Sequence, residues 1–384
     1  MSEDISVKVE QPENVVLQVN PDEQNEQNQA RSLVRKTTID AIEPIEGADR
    51  IEVAKIRGWR VVVGKGEFQV GEQVLFFEVD SALNPFDSRY EFLKERCYKE
   101  FKLNGKVFDA CLRIKTIKLR GVYSQGLILK PDQFYEVRNA RLEEDCTRLL
   151  NVRHYDTVAE KAVRLTEKQK PGNMKGLFPW FCLKSDEERV QNLEDELIER
   201  KKDVPLEVTE KVDGSSCSIF FTISKRPEDP FGVCSRNYEL KQDGGGVFWQ
   251  MAVENNLPET LPKYCQEHNI NICIQGEICG PGVNGNHDLL DKLSFRVFRI
   301  WDIDKQEFLT PESRYQICKD LNLEHVPVLG VKTLNDFDCD RDKILQFAEG
   351  YTASGHEREG VVFKSMEGNF HFKAVSNRYL MTIK

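Results

Sequence analysis

The chain has 384 residues, of which 40% are hydrophobic and 31% charged, and its net charge is −10 at pH 7. This length allows two or three domains, each with its own core, and the composition is typical of a soluble globular protein. No apolar run reaches the ~20 residues of a membrane span, and the acidic start MSEDISVKVEQPENVV lacks the cationic region and apolar core of a secretory or mitochondrial targeting sequence.

Residues 1–31 predict a disordered acidic tail. They hold 2 Lys/Arg against 7 Asp/Glu and include the polar run NPDEQNEQNQA, a composition that buries too little apolar surface to fold. Half of the net negative charge lies in this segment. The acidity of the whole chain therefore does not exclude a local nucleic-acid-binding surface elsewhere.

Residues 32–140 show short apolar runs separated by Gly, Asp or Pro, such as RIEVAKIRGWRVVVGKG and EQVLFFEVD. This pattern is typical of an all-β domain, a small barrel or sandwich. Between residues 101 and 120 one acid, Asp109, is accompanied by a set of basic residues: Lys102, Lys106, Arg113, Lys115, Lys118 and Arg120. A basic strand face suits contact with a phosphate backbone, and a solvated outer face explains the same pattern equally well.

Residues 141–204 predict a helical linker that leads into a second domain. Ser185 and Glu188 have the spacing of a helix capping box. Apolar residues follow at helical spacing: Val190, Leu193, Leu197 and Ile198. Residues 205–384 return to strands, interrupted by helical stretches around GGVFWQMAVENNL and PESRYQICKDLNL. The predicted fold class is therefore α+β, mainly antiparallel.

The 11 cysteines form no C-x-x-C pair and lie mostly in apolar stretches such as NICIQGEICG. We interpret them as buried reduced thiols rather than as zinc ligands. They predict an intracellular, reducing compartment, either cytoplasm or nucleus.

Lys211 lies in VTEKVDGSSCSIFF, between two acidic residues and before a Gly-Ser-Ser turn. A surface salt bridge explains these charges but not the turn. The string SRN (residues 235–237) follows, and then QGEICG, FRVFRIWDI, EGVVFK and HFKAVSN occur in that order on predicted strands. This order resembles the covalent nucleotidyltransferases, the superfamily of ATP-dependent DNA and RNA ligases and mRNA capping enzymes.

Within that superfamily, FPWFCLKSDEERVQNL and the N-terminal IKLRGVYSQGL resemble the Deinococcus- and Naegleria-type RNA ligases. The resemblance covers about residues 32–384. It implies an OB-fold barrel at 32–140 and a nucleotidyltransferase (adenylation) core at 205–384, built of antiparallel sheets with flanking helices. Only 11 residues follow Lys373, too few for the further OB domain of DNA ligases and capping enzymes.

The resemblance implies that Lys211 attacks the α-phosphorus of ATP, that AMP then passes to the 5′-phosphate of an RNA end, and that a 3′-OH displaces AMP. The cofactors are ATP and Mg²⁺ or Mn²⁺. A free lysine, with a pKa of about 10.4, is a poor nucleophile at pH 7. We therefore expect Lys364, Lys373 and a bound metal to lower the pKa of Lys211.

The resemblance also assigns residues to the nucleotide. Glu210 would accept a hydrogen bond from the adenine amino group, and Phe298 would stack on adenine, with Trp301 as the competing stacker. The other candidates are Asp213, Glu359 and Glu277 for the metal, Glu277 also for the ribose, Lys364 and Lys373 for the α-phosphate, Arg236 for the ribose or the RNA phosphate, and Arg189 as a weaker phosphate contact.

Three expectations concern geometry. Gly214 should supply a positive φ so that Lys211 and Asp213 address the same phosphate. The fifth motif has one lysine where many RNA ligases have two, so His371 or Lys364 must substitute. The third motif has no acid directly after Phe298, so this acid is either missing or displaced to Asp302.

We therefore expect an ATP-dependent RNA ligase that seals a nick in an RNA or RNA/DNA duplex, acts in RNA repair, and is a monomer without membrane contact. One alternative is another covalent nucleotidyltransferase, a DNA ligase or a capping guanylyltransferase. A second is a non-catalytic RNA-binding protein that retains the domain.

Overall fold

The computed structural model describes residues 32–103, 106–155, 173–184, 186–368 and 370–382. The predicted disordered tail (1–31) and Ser185, the predicted helix cap, lie outside the described residues. No helix in these ranges is long and apolar enough to cross a membrane. All 11 cysteines are free thiols, and they are buried except for the half-buried Cys97 and Cys339.

The described part of residues 32–155, here called the N-terminal module, consists of β-strands with one short α-helix, α1 (Lys94–Cys97), and 3-10 turns at 88–93, 131–133 and 135–137. Its strands are β1 (Val34–Thr38), β2 (Ala41–Pro44), β3 (Ile51–Ile56), β4 (Trp59–Gly64), β5 (Gln73–Phe77), β6 (Ser81–Leu83), β7 (Tyr98–Leu103), β8 (Lys106–Arg113), β9 (Ile117–Leu119), β10 (Val122–Ser124), β11 (Leu127–Leu129) and β12 (Arg153–His154). They pair antiparallel in the orders β1-β5-β11, β2-β3-β4, β12-β6-β8-β7 and β9-β10.

Strand β5 shows why the run EQVLFFEVD is apolar throughout. Successive side chains of a strand point to opposite faces, and both faces of β5 are buried. Leu75 and Phe77 join one apolar cluster, whereas Val74 and Phe76 join another. The predicted all-β module is confirmed, and its packing continues past residue 140 because β12 pairs with β6.

The predicted basic strand face is not continuous. Strand β8 ends at Arg113, β9 covers only Ile117–Leu119, and Arg120 has a φ of 47°. Three of the six basic side chains also have partners within the protein. Lys102 pairs with Glu100 at 2.9 Å, Arg113 with Asp80 at 2.7 Å, and Lys118 donates to the carbonyl of Met381 at 2.9 Å.

The C-terminal domain, residues 173–382, contains the remaining strands. They are β13 (Met174–Leu177), β14 (Leu206–Lys211), β15 (Ser215–Phe221), β16 (Phe231–Ser235), β17 (Tyr238–Leu240), β18 (Ile272–Cys279), β19 (Ser294–Asp302), β20 (Glu307–Phe308), β21 (Glu324–His325), β22 (Val328–Lys332), β23 (Gly360–Ser365) and β24 (His371–Val375). One sheet has the order β13-β17-β16-β15-β18-β19-β20, with β21 parallel to β19, and the other has the antiparallel order β22-β14-β23-β24.

Helices cover one face of each sheet. They are α2 (Asp195–Lys201), α3 (Gly246–Glu254), α4 (Leu257–His268), α5 (Pro311–Asp320), α6 (Arg341–Ala348) and α7 (Asn377–Thr382). Helices α3, α4 and α5 pack on the larger sheet, and α2 and α6 pack on the smaller one. Residues from both sheets line one cavity. The predicted α+β class and antiparallel pairing are confirmed.

The predicted helix after residue 185 is largely wrong. Residues 190–192 form a single 3-10 turn, and α2 starts only at Asp195. Val190, Leu193 and Ile198 nevertheless pack in one core cluster. The 3-10 turn supplies Val190 and helix α2 supplies Ile198, and both side chains point into the same core. The sequence analysis did not predict helix α4, because Pro262 lies inside it and proline usually interrupts a helix.

The β3–β4 hairpin of the N-terminal module packs against residues 188–194. Trp59 Nε1 donates to Asn192 Oδ1 at 3.2 Å, and the Arg57 guanidinium donates to the carbonyl of Leu193 at 2.8 Å. Arg35 pairs with Glu194 at 2.5 Å. The described residues from Ser32 onward belong to one compact unit.

Candidate active site

Lys211 is the last residue of β14, directly opposite Gly360, the first residue of β23. The residue before Gly360 is Glu359, and its Oε1 lies 2.6 Å from Lys211 Nζ. Both side chains are largely buried, with 26% and 18% of their surface exposed. The antiparallel register therefore brings the two motifs KVDG and EGVVFK together, as the motif order predicts.

The turn after Lys211 depends on glycine for a reason that the sequence did not indicate. Gly214 does not have a positive φ, so that expectation is wrong. A Cβ at this position would instead lie closer than 3.0 Å to the carbonyl oxygen of Ile278 and to Glu277 Cγ. Only glycine lets the turn approach β18 this closely, and this approach places Glu277 beside Lys211.

Glu277 is held largely protonated by its surroundings. Burial raises the pKa of its carboxyl to about 8, and Glu359 and Asp213 add to the rise, although Lys211 opposes it. Asp213 is held in turn by Asn284, whose side-chain amide donates to Asp213 Oδ1 at 3.4 Å and to the carbonyl of Gly214.

The pKa of Lys211 is raised, not lowered. Burial alone would lower it, but the negative charge of Glu359 and the hydrogen bond from Lys211 to Glu359 outweigh burial. The expectation that Lys364 and Lys373 lower the pKa of Lys211 is therefore wrong for the protein without nucleotide or metal.

Lys364 is the lysine whose pKa is far below its ordinary value. Full burial is the main cause, and the nearby cations Arg314 and Arg299 add to it. Its Nζ donates to the carbonyl of Phe298 at 2.8 Å and contacts Thr209 Oγ1 at 3.2 Å. Lys364 thus contacts the strand that carries the predicted adenine-stacking residue.

Phe298 lies at a β-bulge, because Val297 pairs with Gly276 and Arg299 pairs with the adjacent Gln275. A bulge redirects a side chain, and Phe298 lines the cavity together with Glu210. Burial raises the pKa of the Glu210 carboxyl. The competing stacker, Trp301, is 8% exposed and belongs to a core cluster instead.

Asp302 does not bring the acid expected after Phe298 to the cavity. Asp302 is buried at the far end of β19, where it accepts from the backbone N–H groups of residues 304 and 305. Glu187 instead lies 3.3 Å from Arg299. Burial alone would raise the pKa of Glu187, but Arg299, Lys373 and Lys364 hold it below its ordinary value.

Lys373, Asp186 and Arg236 form a linked group on the cavity wall. Lys373 Nζ lies 2.9 Å from Asp186 Oδ1, and Arg236 Nη2 lies 3.2 Å from Asp186 Oδ2. The main chain of Lys373 is also held, since its N–H donates to the carbonyl of Glu188 at 2.8 Å. Two predicted phosphate contacts thus share one acid that the sequence analysis missed.

Two predicted phosphate candidates lie away from the cavity lining. The Arg189 guanidinium lies 5.3 Å from the Trp59 ring of the N-terminal module. His371 packs edge-on against Phe308, with ring centroids 5.8 Å apart, and burial lowers its pKa to about 4. Lys364 is therefore the better substitute for the missing second lysine of the fifth motif.

The cavity between the two sheets has a volume of about 640 Å³, within the range of sites for cofactor-sized ligands. Nine of the ten predicted site residues line it, namely Glu210, Lys211, Asp213, Arg236, Glu277, Phe298, Glu359, Lys364 and Lys373. Sequence reasoning missed His154, Lys184, Asp186 and Glu187 in the same lining. The acid-rich run SDEER was the available signal for the last two, and we interpreted it as a helix start.

Asp213, Glu277 and Glu359 are the acidic residues on which a metal would depend. Over the described ranges, no three or more His, Cys, Asp or Glu side chains form a group able to hold a metal ion. Mg²⁺ keeps several of its waters and is bound by one or two carboxylates. The three residues therefore do not form a ready ligand set, and a metal here would be bound mostly through its water.

Residues 204–376 match a family model described as RNA ligase, and residues 33–131 match one described as an OB-fold domain. No curated protein sequence matches the chain. Among solved structures, the chain is similar to an apo variant of a Naegleria gruberi RNA ligase, with 36% identity and a TM-score of 0.70 over 91% of this chain and 97% of that chain.

Two further structures of the same protein are also similar. A variant with AMP and Mn is 35% identical, with a TM-score of 0.71 over 92% of this chain and 99% of that chain. A variant with ATP and Mn is 35% identical, with a TM-score of 0.71 over 91% of this chain and 99% of that chain.

Proposed function

The chain belongs to the RNA ligase family, and on that premise we propose that it is an ATP-dependent RNA ligase that works through Lys211. The lysine attacks the α-phosphorus of ATP, so a P–N bond forms and pyrophosphate leaves. The AMP then moves to an RNA 5′-phosphate. In the last step a 3′-OH forms the phosphodiester bond and AMP is released.

The observation that carries this proposal is the position of Lys211. It lies in a cavity of sufficient size, 2.6 Å from Glu359 and close to Glu277. Glu359 Oε1 is placed to take the proton that Lys211 must lose before it attacks. Lys373 supplies positive charge on the same wall, where it would stabilise charge on the α-phosphate, and the Lys364 amine can donate a hydrogen bond there.

We assign the nucleotide contacts to residues that line the same cavity as Lys211. The Phe298 ring would stack on the purine ring. The Glu210 carboxyl would accept a hydrogen bond from the adenine amino group. Asp213, Glu277 and Glu359 would hold a hydrated Mg²⁺ or Mn²⁺, which supplies charge neutralisation for the triphosphate. Glu277 also fits the ribose hydroxyls, because a protonated carboxyl both donates and accepts hydrogen bonds.

We also propose a substrate, an oligomeric state and a cellular compartment. We propose that the substrate is a nick in an RNA or RNA/DNA duplex, which the N-terminal module grips, and that the enzyme acts as a monomer. The free thiols of all 11 cysteines support a reducing compartment. Light scattering tests the monomer, and a nicked duplex should be sealed faster than two free single strands.

Labelling with radioactive ATP tests the central proposal. The wild-type protein, incubated with labelled ATP and Mg²⁺, should retain AMP, and Lys211→Ala should abolish retention because no other amine occupies that position. Lys319→Ala, an exposed lysine on α5, is the matched control and should label normally. Labelling with GTP would indicate a guanylyltransferase, and absence of any label would indicate a non-catalytic RNA-binding protein.

A further inference from the structure

We propose that Asn284 and Tyr379 are positioning residues that hold the Asp213 carboxylate beside Lys211 for the formation of lysyl-AMP. This inference deepens the proposed ligase function and rests on it. Asn284 lies on the loop that joins β18 to β19, here called the 280–293 loop, and Tyr379 lies on α7. Neither residue belongs to the strings that carry the family resemblance.

Asn284 holds the turn after Lys211 at two atoms. Its side-chain amide donates to Asp213 Oδ1 at 3.4 Å and to the carbonyl of Gly214. Asn284 also lines the cavity, and its φ is 40°. Asparagine adopts this left-handed backbone conformation more readily than most other residues do. The 280–293 loop can therefore place an amide donor directly against the turn.

Tyr379 reaches the same carboxylate from the C-terminal helix. Its hydroxyl hydrogen-bonds to Asp213, and only 5% of the residue is exposed. Helix α7 is itself fixed in place. The N–H of Tyr379 donates to Ser376 Oγ at 3.1 Å, and Leu380 packs in an apolar cluster with Val375. The segment that follows the fifth motif therefore delivers a hydroxyl group to Asp213.

His287 connects the 280–293 loop to α7 and to the segment before β23. Its ring lies edge-on to the Tyr379 ring, with centroids 5.1 Å apart, and its Nε2 donates to the carbonyl of Glu357 at 2.8 Å. Glu359, the partner of the nucleophilic lysine, follows two residues later. The same loop therefore contacts the supports of Asp213 and of Glu359.

Neutral donors suit this task because they leave the charge of the carboxylate in place. A lysine or an arginine would pair with Asp213 and reduce its attraction for another cation. An amide and a hydroxyl instead occupy only two of the about four acceptor positions of a carboxylate. The remaining positions can accept from the waters of a hydrated Mg²⁺. The two residues thus fix the orientation of Asp213 without neutralising it.

Tyr379→Phe tests the hydroxyl alone, since the ring that packs on His287 is retained. In single-turnover labelling of the full-length protein, the rate constant for lysyl-AMP formation should fall at least about tenfold, because a misplaced group slows a reaction this much. The KM for ATP should stay within about twofold of wild type, since Glu210 and Phe298 are unchanged. Tyr90→Phe, which changes a buried tyrosine of the N-terminal module, is the matched control and should label normally.

Asn284→Gly tests the amide, because glycine adopts a left-handed backbone without strain. It should show the same loss of rate at an unchanged KM, and Asn284→Gln, which retains an amide donor, should recover part of the rate. The matched control is Asn322→Gly, which changes an exposed asparagine with a φ of 54°. Asn284→Gly combined with Tyr379→Phe should lose less than the product of the two single losses, since both residues act on one carboxylate.

A further measurement does not depend on activity. In a Lys211→Ala protein, which lacks the reacting amine, electron paramagnetic resonance measures Mn²⁺ binding in the presence of ATP. Adding Tyr379→Phe or Asn284→Gly should weaken Mn²⁺ binding at least about threefold, because Asp213 loses a hydrogen bond that orients it. Adding Tyr90→Phe should leave Mn²⁺ binding unchanged.

Normal lysyl-AMP formation in both single variants overturns the inference. A raised KM for ATP at an unchanged rate constant also overturns it, as does Mn²⁺ binding equal to that of the Lys211→Ala protein. A wild-type protein that forms no lysyl-AMP overturns the proposed function instead.

Discussion

Burial disfavours the charged forms of Glu277 and Lys211, the two groups nearest the proposed chemistry. It therefore raises the pKa of the Glu277 carboxyl and by itself would lower the pKa of the Lys211 amine. The pKa of Glu277 thus rises to about 8. At Lys211 the negative charge of Glu359 outweighs burial, and the pKa of that amine is raised as well. Perturbed pKa values of this kind are typical of catalytic sites. The protein therefore keeps Lys211 as an ammonium ion until its surroundings change.

The raised pKa of Glu277 has a consequence for stability. Between pH 4.5, its ordinary value, and about pH 8, the folded protein binds more protons at Glu277 than the unfolded chain does. Stability must therefore fall as the pH rises through this window. Glu277→Gln removes this dependence and, at about 1.4 kcal/mol for each pKa unit, should be more stable than wild type by about 4 kcal/mol at pH 8.

Urea denaturation at pH 5 and at pH 8, without nucleotide or metal, measures this difference. At pH 5 the two proteins should differ little. Asp291→Asn, which changes an exposed acid in a neighbouring loop, should follow the wild-type pH profile. A Glu277→Gln protein with the same pH profile as wild type would show that Glu277 is not held protonated in the folded state.

At the scale of elements, the site depends on how closely a turn approaches a strand. The turn between β14 and β15 carries Asp213 and Gly214, and it packs against Glu277 and Ile278 of β18. The β14–β23 register places Glu359 opposite the same turn. The turn and β18 thus approach each other where the side chain of Gly214 would otherwise be.

Gly214→Ala should force β18 away from the turn. We expect a loss of about 1–3 kcal/mol in the free energy of unfolding, as for overpacked cores, and lysyl-AMP formation slowed at least about tenfold, because small displacements of reacting groups cost this much.

Gly176→Ala is the matched control, since a Cβ there meets nothing within 4 Å and its φ is not left-handed. Urea denaturation and single-turnover labelling measure both effects. A Gly214→Ala protein with normal labelling would show that the close approach does not set the position of Lys211.

At the scale of the whole molecule, the two parts of the chain share a polar and an apolar contact. Trp59 and Arg57 reach residues 191–193 of the C-terminal domain. On another side, Tyr123 of β10 packs with Val375 and Leu380. The module that would grip RNA is therefore fixed to the domain that would bind ATP.

This docking predicts one cooperative unfolding transition for the chain. Calorimetry should give a calorimetric enthalpy close to the van't Hoff enthalpy, as for a two-state protein. Arg57→Ala combined with Asn192→Ala removes the hydrogen bonds of the hairpin to Leu193 and Asn192 and should separate the transition into two. Two transitions in the wild-type protein would contradict a fixed arrangement of the modules.

The sequence was sufficient to identify most of the site. The strings around Lys211, Glu277, Phe298, Glu359 and Lys373 could be identified in the sequence because their order resembles the motifs of the covalent nucleotidyltransferases. Nine of the ten predicted residues line one cavity. Arg189 lies outside the lining, since its guanidinium packs on Trp59.

The sequence by itself thus determined the fold class, the order of the strands that carry the motifs, and the lysine proposed as nucleophile, because these depend on local residue patterns. Only the tertiary structure decided which acid lies beside Arg299, why residue 214 must be glycine, and that His154 reaches the cavity. Each of these depends on contacts between residues distant in the chain, and such contacts follow from packing and strand register.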